Sequence, residues 1–189
     1  MDVGEAWEAI ERVLRAHLPA VAATLRPPAA AGDLERLAEQ VGHDLPADLL
    51  ASLAVHDGQD NPTRLLDVFD HHTLLGVDGM AERHRLLDAA FGSDPDSDDY
   101  AWMTPDQVRT VPNLRGWLPV TESEGTGYAV DLDPLPTGTV GQVIWLPVDG
   151  PTPAPVAASY GAWFSGLAEQ LAAGAFEVDE TGGLWLTGR

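Results

Sequence analysis

Residues 117–148 read WLPVTESEGTGYAVDLDPLPTGTVGQVIWLPV, and the apolar period across them is two. Tyr128, Val130 and Leu132 alternate with Ala129 and Asp131; Val140, Gln142, Ile144, Leu146 and Val148 alternate with Val143 and Trp145. That is the period of a strand, whose successive side chains point to opposite faces. Asp133–Gly138, with two prolines and a glycine between the runs, reads as a turn. Two strands flanking such a turn make an antiparallel hairpin. Trp117-Leu118-Pro119-Val120 reads as a further short strand, and its proline, lacking an N–H, suits a sheet edge or entry. Glu122–Gly127 is the turn between it and Tyr128.

Before residue 117 the period is three to four. Asp2 and Glu5 have capping-box spacing, and Val3, Trp7, Ile10, Leu14 and Leu18 recur on one face until Pro19, predicting a helix over 2–18. Residues 27–32 read as a linker. Asp33 is expected to cap a helix carrying Leu34, Leu37, Ala38 and Val41, with Gly42 as the left-handed stop. Pro46 suits a first helical turn, Asp48 complements that end, and Leu49, Leu50, Leu53 and Ala54 follow up to the Asp57-Gly58 turn. Leu65–Leu75 reads as two short strands around Asp70-His71-His72. Met80–Phe91 reads as a helix with Met80, His84, Leu87 and Phe91 on one face, and residues 92–99 as an aspartate-rich loop. Residues 106–111 carry no clear pattern. Pro147–Pro155 reads as a loop. Ser159 opens a last helix bearing Tyr160, Trp163, Phe164, Leu167 and Leu171, stopped by Gly174; Phe176–Leu186 adds one or two edge strands. Helices, then a strand meander with short turns, then a helix give an α+β class, with a central, mostly antiparallel sheet packed by helices. The expected organisation is one domain over 1–189, with a core at about 5–174 and a C-terminal extension at 175–189.

Composition narrows the chemistry. The chain has 189 residues and a formal net charge of −20, and all ten of its bases are arginines. Without lysine there is no P-loop lysine, Schiff base or lysine general base. Without cysteine there is no disulfide, thiol nucleophile or cysteine-ligated zinc. The acidity is spread evenly along the chain and repels phosphate backbones and anionic lipid, so neither nucleic acid nor membrane is expected as a partner. No secretory signal or apolar span is evident, so the expected compartment is the cytoplasm.

The catalytic motifs fail one by one. Gly125-Thr126-Gly127 and Gly138-Thr139-Val140-Gly141 lie between strands, where no helix N-terminus completes a phosphate cradle. There is no Gly-x-Ser-x-Gly elbow. None of the histidines, His17, His43, His56, His71, His72 and His84, has the helical zinc-pair spacing, and His84 reads as a satisfied core histidine. The loop 94–99 begins like a calcium loop, but Asp99 stands where glycine is needed and Pro105 where a bidentate glutamate is needed. Asp131 and Asp133 share a strand face roughly 6.5–7 Å apart, a spacing that means little in so acidic a chain. No cofactor and no metal are expected. Among the six tryptophans, Trp7 and Trp163 sit on helical apolar faces; Trp102, Trp117, Trp145 and Trp185 lie in loops or strands.

Three segments carry a family resemblance. Asp33–Gly58 reads DLERLAEQVGHDLPADLLASLAVHDG: an acidic helix, a glycine, Leu45-Pro46, an amphipathic helix and an Asp-Gly turn. Next come Trp117-Leu118-Pro119-Val120, then Gly127–Pro134 and Gly141-Gln142-Val143-Ile144. Last is Ser159-Tyr160-Gly161-Ala162-Trp163-Phe164. In this order they resemble the SUKH superfamily, which includes the Smi/Knr proteins, over roughly residues 5–174. Asp57-Gly58 stands where that family more often has Asn-Gly. The resemblance implies a compact α+β fold around an antiparallel sheet and a binding protein without catalytic residues. It implies either a bacterial immunity-type inhibitor that neutralises a toxin, often a nuclease or deaminase, or a scaffold in cell-wall signalling such as the fungal relatives. It also implies a binding groove on the sheet, with Trp117, Asp131 and Gln142 as motif residues that serve binding or the fold alone.

The residues themselves point the same way. With no catalytic set, an acidic surface suits a basic protein partner, and charge steers such encounters. The expected reading is stoichiometric inhibition of a basic toxin by a monomer; the alternative is an intracellular scaffold or regulator of cell-wall synthesis. The expected contacts are Asp57, Asp60, Glu122, Glu124, Asp131 and Asp133, with Trp102 and Trp117 as anchors.

Overall fold

The carboxylate of Asp2 accepts the Glu5 N–H and that of Glu5 accepts the Asp2 N–H, both at 2.9 Å, so the capping box that opens the first helix is closed. The computed structural model describes residues 1–63, 65–147, 150, 154–180 and 182–187. In chain order the elements are α1 (Val3–His17), α2 (Pro19–Ala22), α3 (Ala31–Val41), α4 (Ala47–Leu53), β1 (Thr73–Leu74), α5 (Val77–Phe91), β2 (Trp117–Pro119), β3 (Thr121–Glu122), β4 (Gly127–Asp131), β5 (Gln142–Leu146), β6 (Pro155–Ala157), α6 (Tyr160–Ala172), β7 (Phe176–Val178) and β8 (Leu184–Leu186). Helices packed on antiparallel sheets make this an α+β fold.

The main sheet has the order β2-β4-β5-β6, antiparallel throughout. Its register sets Tyr128 opposite Trp145, Val130 opposite Val143, and Asp131 between Trp117 and Gln142. One face, with Leu118, Val130 and Val143, packs on Trp7, Ile10 and Leu14 of α1 and on Phe164 and Leu171 of α6. The alternation in β4 is real, yet all five of its residues are buried. Ala129, Trp117 and Ile144 form the other face, and Val108, Val111 and Leu114 cover it as a second small core. The patternless segment 106–111 is therefore the cover that makes the sheet two-sided, and its apolar residues are spaced by the surface they meet rather than by a helix or strand period.

Several boundaries differ from the sequence expectation. α3 starts two residues before Asp33, which lies in its first turn beside Arg36, where an acid suits the helix dipole, and is not the cap. Pro46 is the extended residue preceding α4. Asp70 and His71 both have positive φ (42° and 62°) in a tight turn closed by the Phe69–His72 bridge, so Leu65–Leu75 yields one two-residue strand that pairs with β3. On α5 only Val77, Met80 and His84 are buried; Leu87 is half-buried and Phe91 is 53% exposed, because the helix runs past the core. β6 begins at Pro155, the last residue of the expected loop, and continues into residues to which the sequence assigned no element. Val148 and residues 149 and 151–153 of that expected loop fall outside the described residues. The last two strands pair with each other rather than extending the main sheet, and Leu184 reaches the main core.

His84 is a satisfied core histidine. Its Nε2–H donates to the Arg115 carbonyl at 2.7 Å, which leaves Nδ1 to accept from the Gln40 amide at 3.3 Å.

Candidate functional site

Three of the residues expected to bind a partner are built into the architecture. Trp117 is fully buried in the second core, so it is no surface anchor. Asp131, opposite it, is fully buried and accepts from the Gln142 amide at 2.8 Å and the Asp133 N–H at 3.1 Å. Burial pushes the Asp131 carboxyl above the usual carboxylate range, against the lowering pull of those two donors. Asp57 is also buried: it accepts the Val77 N–H at 2.7 Å, capping α5 from a distance, and pairs with Arg26 at 2.8 Å. Its neighbour Gly58 has φ +66°, and a Cβ there would stand 2.2 Å from the Gly76 nitrogen. The Asp-Gly signature is thus a clamp between the 24–29 segment and the start of α5. Asp133 is half-buried and held by Arg109 at 3.2 Å. Trp102 is 75% exposed, on the far side of the Asp94–Asp99 loop in sequence.

The remaining three meet in one place. β1 and β3 form a short antiparallel ribbon, and two depressions adjoin along it, sharing Thr73 and Glu122. The first, about 360 Å³, is bordered by Asp60, Asn61, Arg26, Gln59 and Gly76. The second, about 450 Å³, is bordered by Asp67, His71, Ser123 and Glu124. Asp60 and Glu124 are exposed; Glu122 is buried, and its Oε1 accepts the Gly125 N–H at 3.0 Å. Asp67 accepts from the Thr73 hydroxyl at 2.5 Å and the Asn61 amide at 2.9 Å. Burial pushes its carboxyl up, only partly offset by the Thr73 hydrogen bond and the charge of His71.

Asp67, Asn61, Thr73 and His71 were not legible as site residues, because the turn at 70–71 and the two-residue strand after it decide which side chains face the groove. The available signal was non-glycine side chains at turn positions. The described residues offer no group of three His, Asp or Glu able to hold a metal ion. No described helix is long and apolar enough to cross a membrane.

Comparison with known proteins identifies a family. The family model described as "SMI1 / KNR4 family (SUKH-1)" matches residues 28–166, which include the β1–β3 ribbon along which the groove runs. The "Cell wall biosynthesis/cell cycle regulator smi1" of Schizosaccharomyces pombe is 28% identical over 190 residues, covering 94% of this chain and 38% of the relative. The "Glucan synthesis regulatory protein" of Neurospora crassa is 27% identical, covering 94% of this chain and 40% of the relative. The "Cell wall assembly regulator SMI1" of Saccharomyces cerevisiae is 26% identical, covering 89% and 40%. These relatives are named as regulators, and the chain spans about two-fifths of their length.

Proposed function

The chain belongs to the SMI1/KNR4 family (SUKH-1), and from that premise we propose that it is a non-catalytic docking module that regulates cell-wall synthesis by binding another protein. The observation that carries the reading is the groove along β1 and β3, where Asp60, Asp67, Glu122 and Glu124 border two adjoining open depressions. Such a groove fits a basic protein segment. The names of the fungal relatives supply the cellular setting. The proposed work is cytoplasmic and done by a monomer. The test is photo-crosslinking in source cells from a reactive residue placed at Asp60 or Glu124, with a control at Glu169, an exposed residue of α6 that borders neither depression. Crosslinks from the groove to a component of envelope synthesis support the reading. Crosslinks from the control alone, or turnover of a small substrate by the purified chain, refute it.

A second reading is favoured by the net charge of −20: an inhibitor that covers the substrate surface of a basic toxin. The same crosslinking separates the two, because this reading requires a nuclease-like or deaminase-like partner whose activity is quenched at one-to-one stoichiometry.

A further inference from the structure

We propose that the uncharged groove between β6 and α6 binds a proline-rich segment of a partner protein, held in the extended polyproline II conformation. The proposal goes beyond the acidic-groove reading and does not rest on it: the two acidic depressions share no lining residue with this one.

The first observation is a pair of polar groups left over in an aromatic wall. Phe69, Tyr128 and Trp163 stand ring against ring, with centroids 5.2–6.3 Å apart, and line a depression of about 370 Å³. Tyr128 is only 6% exposed, and its backbone N–H donates to Thr121 Oγ1 at 2.9 Å. Its hydroxyl has no partner among the described residues, yet it is not sealed in the interior and opens on the groove. The indole N–H of Trp163 is in the same state, unbonded among the described residues and unsealed. Buried polar groups are normally paired, so two unused donors on one wall call for acceptors.

The second observation is shape. Ala162, Gly166 and Gln170 recur every four residues along α6 and form another wall. A Cβ on Gly166 would meet nothing within 4 Å, so open space stands over the helix backbone there. This shelf runs roughly 12 Å along the helix axis, a length that about four residues of polyproline II cover at about 3.1 Å each. Val156, 50% exposed, borders the groove from β6, the outermost strand of the main sheet.

The third is charge. None of the residues bordering the groove is charged, in a chain of net charge −20. A basic segment is drawn to the acidic groove instead. An alkyl chain would fill the space and leave both donors unmet. An ordinary extended strand brings N–H groups of its own, and the amide acceptor of this groove, Gln170 Oε1, is sealed and out of reach. A proline-rich segment brings rings that pack on aromatic side chains, carbonyl oxygens for the two donors and few N–H groups, in a conformation formed before binding.

The test is an amide-resolved NMR titration of the full chain with N-acetyl-hexaproline amide. The control peptide is an acetylated hexamer of alternating glycine and serine. The expected result is saturable shifts at the Trp163 indole N–H and at the backbone amides of Ala157, Gly166 and Gln170, with none from the control. Tyr128→Phe keeps the buried ring and removes a hydroxyl that bonds nothing in the folded chain, and it should weaken the probe about three- to tenfold. Gly166→Leu places a side chain in the open space over α6 and should abolish saturable binding. The amides of β2, unchanged between parent and variants, report an intact fold. No saturable shift, an equal response to the glycine–serine peptide, shifts centred on Thr73 and Glu122, or undiminished binding by either variant overturns the proposal. Partner crosslinking from Asp60 or Glu124 should survive Gly166→Leu, so either reading can fail while the other stands; its loss would overturn the separation of the two grooves.

Discussion

Gly58→Ala should destabilise the fold severely, and the structure gives the size. The Gly58 backbone is left-handed, and a Cβ there would lie 2.2 Å from the Gly76 nitrogen, 2.4 Å from the Leu75 carbonyl carbon and 2.8 Å from the Gly76 Cα. All three are backbone atoms, so no side chain can swing away. The left-handed conformation costs about 1–2 kcal/mol for a residue with a Cβ. The turn must also move away from Gly76, which loosens Arg26 N–H to Gly58 O (3.0 Å) and Gln59 N–H to Leu74 O (3.0 Å). Two weakened backbone hydrogen bonds add about 1 kcal/mol each, for a total of roughly 3–4 kcal/mol. In a chain of this size that corresponds to a fall in Tm of roughly 6–16 °C. Gly166→Ala is the matched control: it lies inside α6, and a Cβ there meets nothing within 4 Å. It should stabilise by about 0.5–1 kcal/mol through helix propensity. Urea and thermal unfolding of both variants decide the matter. A Gly58→Ala protein that melts within about 2 °C of the parent would refute the claim that the Asp-Gly turn is a steric clamp.

Other outcomes follow from the same contacts. Trp117→Ala should cost about 3–5 kcal/mol in urea unfolding because it empties the second core, whereas Trp102→Ala, at an exposed site, should stay within about 0.5 kcal/mol of the parent. Glu11, whose carboxyl is desolvated by burial yet held below its usual range by His56 and Arg15, adds stability that is present above the unfolded carboxylate pKa and is lost as pH falls through the lower folded value. Urea midpoints of Glu11→Gln and the parent should therefore converge on acidification. Asp67 has the opposite sign: its raised folded pKa makes the parent lose stability as pH rises from about 3.9 through the folded value, and Asp67→Asn should flatten that window. Association with a basic partner should slow steeply with added salt in stopped-flow measurements, and a flat dependence would exclude electrostatic steering.

What the sequence made legible is what local physics decides. The capping box at Asp2 and Glu5, the left-handed stop at Gly42, the Ser159 cap and the period-two hairpin each depend on residues within a turn or a strand of one another. The misplaced elements depend on distant partners. β1 exists because Thr73 and Leu74 find Glu122 and Thr121, and the 106–111 segment is ordered against a sheet that follows it in the chain. The site followed the same rule. Asp60, Glu122 and Glu124 were selected by charge and do border the groove, but charge could not separate them from Asp57 and Asp131, which the fold consumes.

The separation between those carboxylates is one of solvation, and it ranks them as partners for a cation. Asp131 sits among neutral donors with no cation bonded to it in the described structure, so burial raises its pKa. Asp57 keeps its place through Arg26 and the α5 N-terminus, and its two oxygens are already used. At the other extreme, Asp60 and Glu124 are exposed, and ion pairs formed by such groups contribute only about 0–1 kcal/mol because water screens them. Asp67 lies between: sunk among protein atoms, yet bordering an open depression with one oxygen unused. A charge against a low-dielectric wall attracts a counter-ion more strongly than one in bulk water. The half-sunk acid, rather than the most exposed one, should therefore dominate the hold on a basic side chain. With the crosslinker placed at Glu124, Asp67→Asn should reduce partner capture more than Asp60→Asn, and the reverse order would show that the groove acts only through its diffuse surface charge.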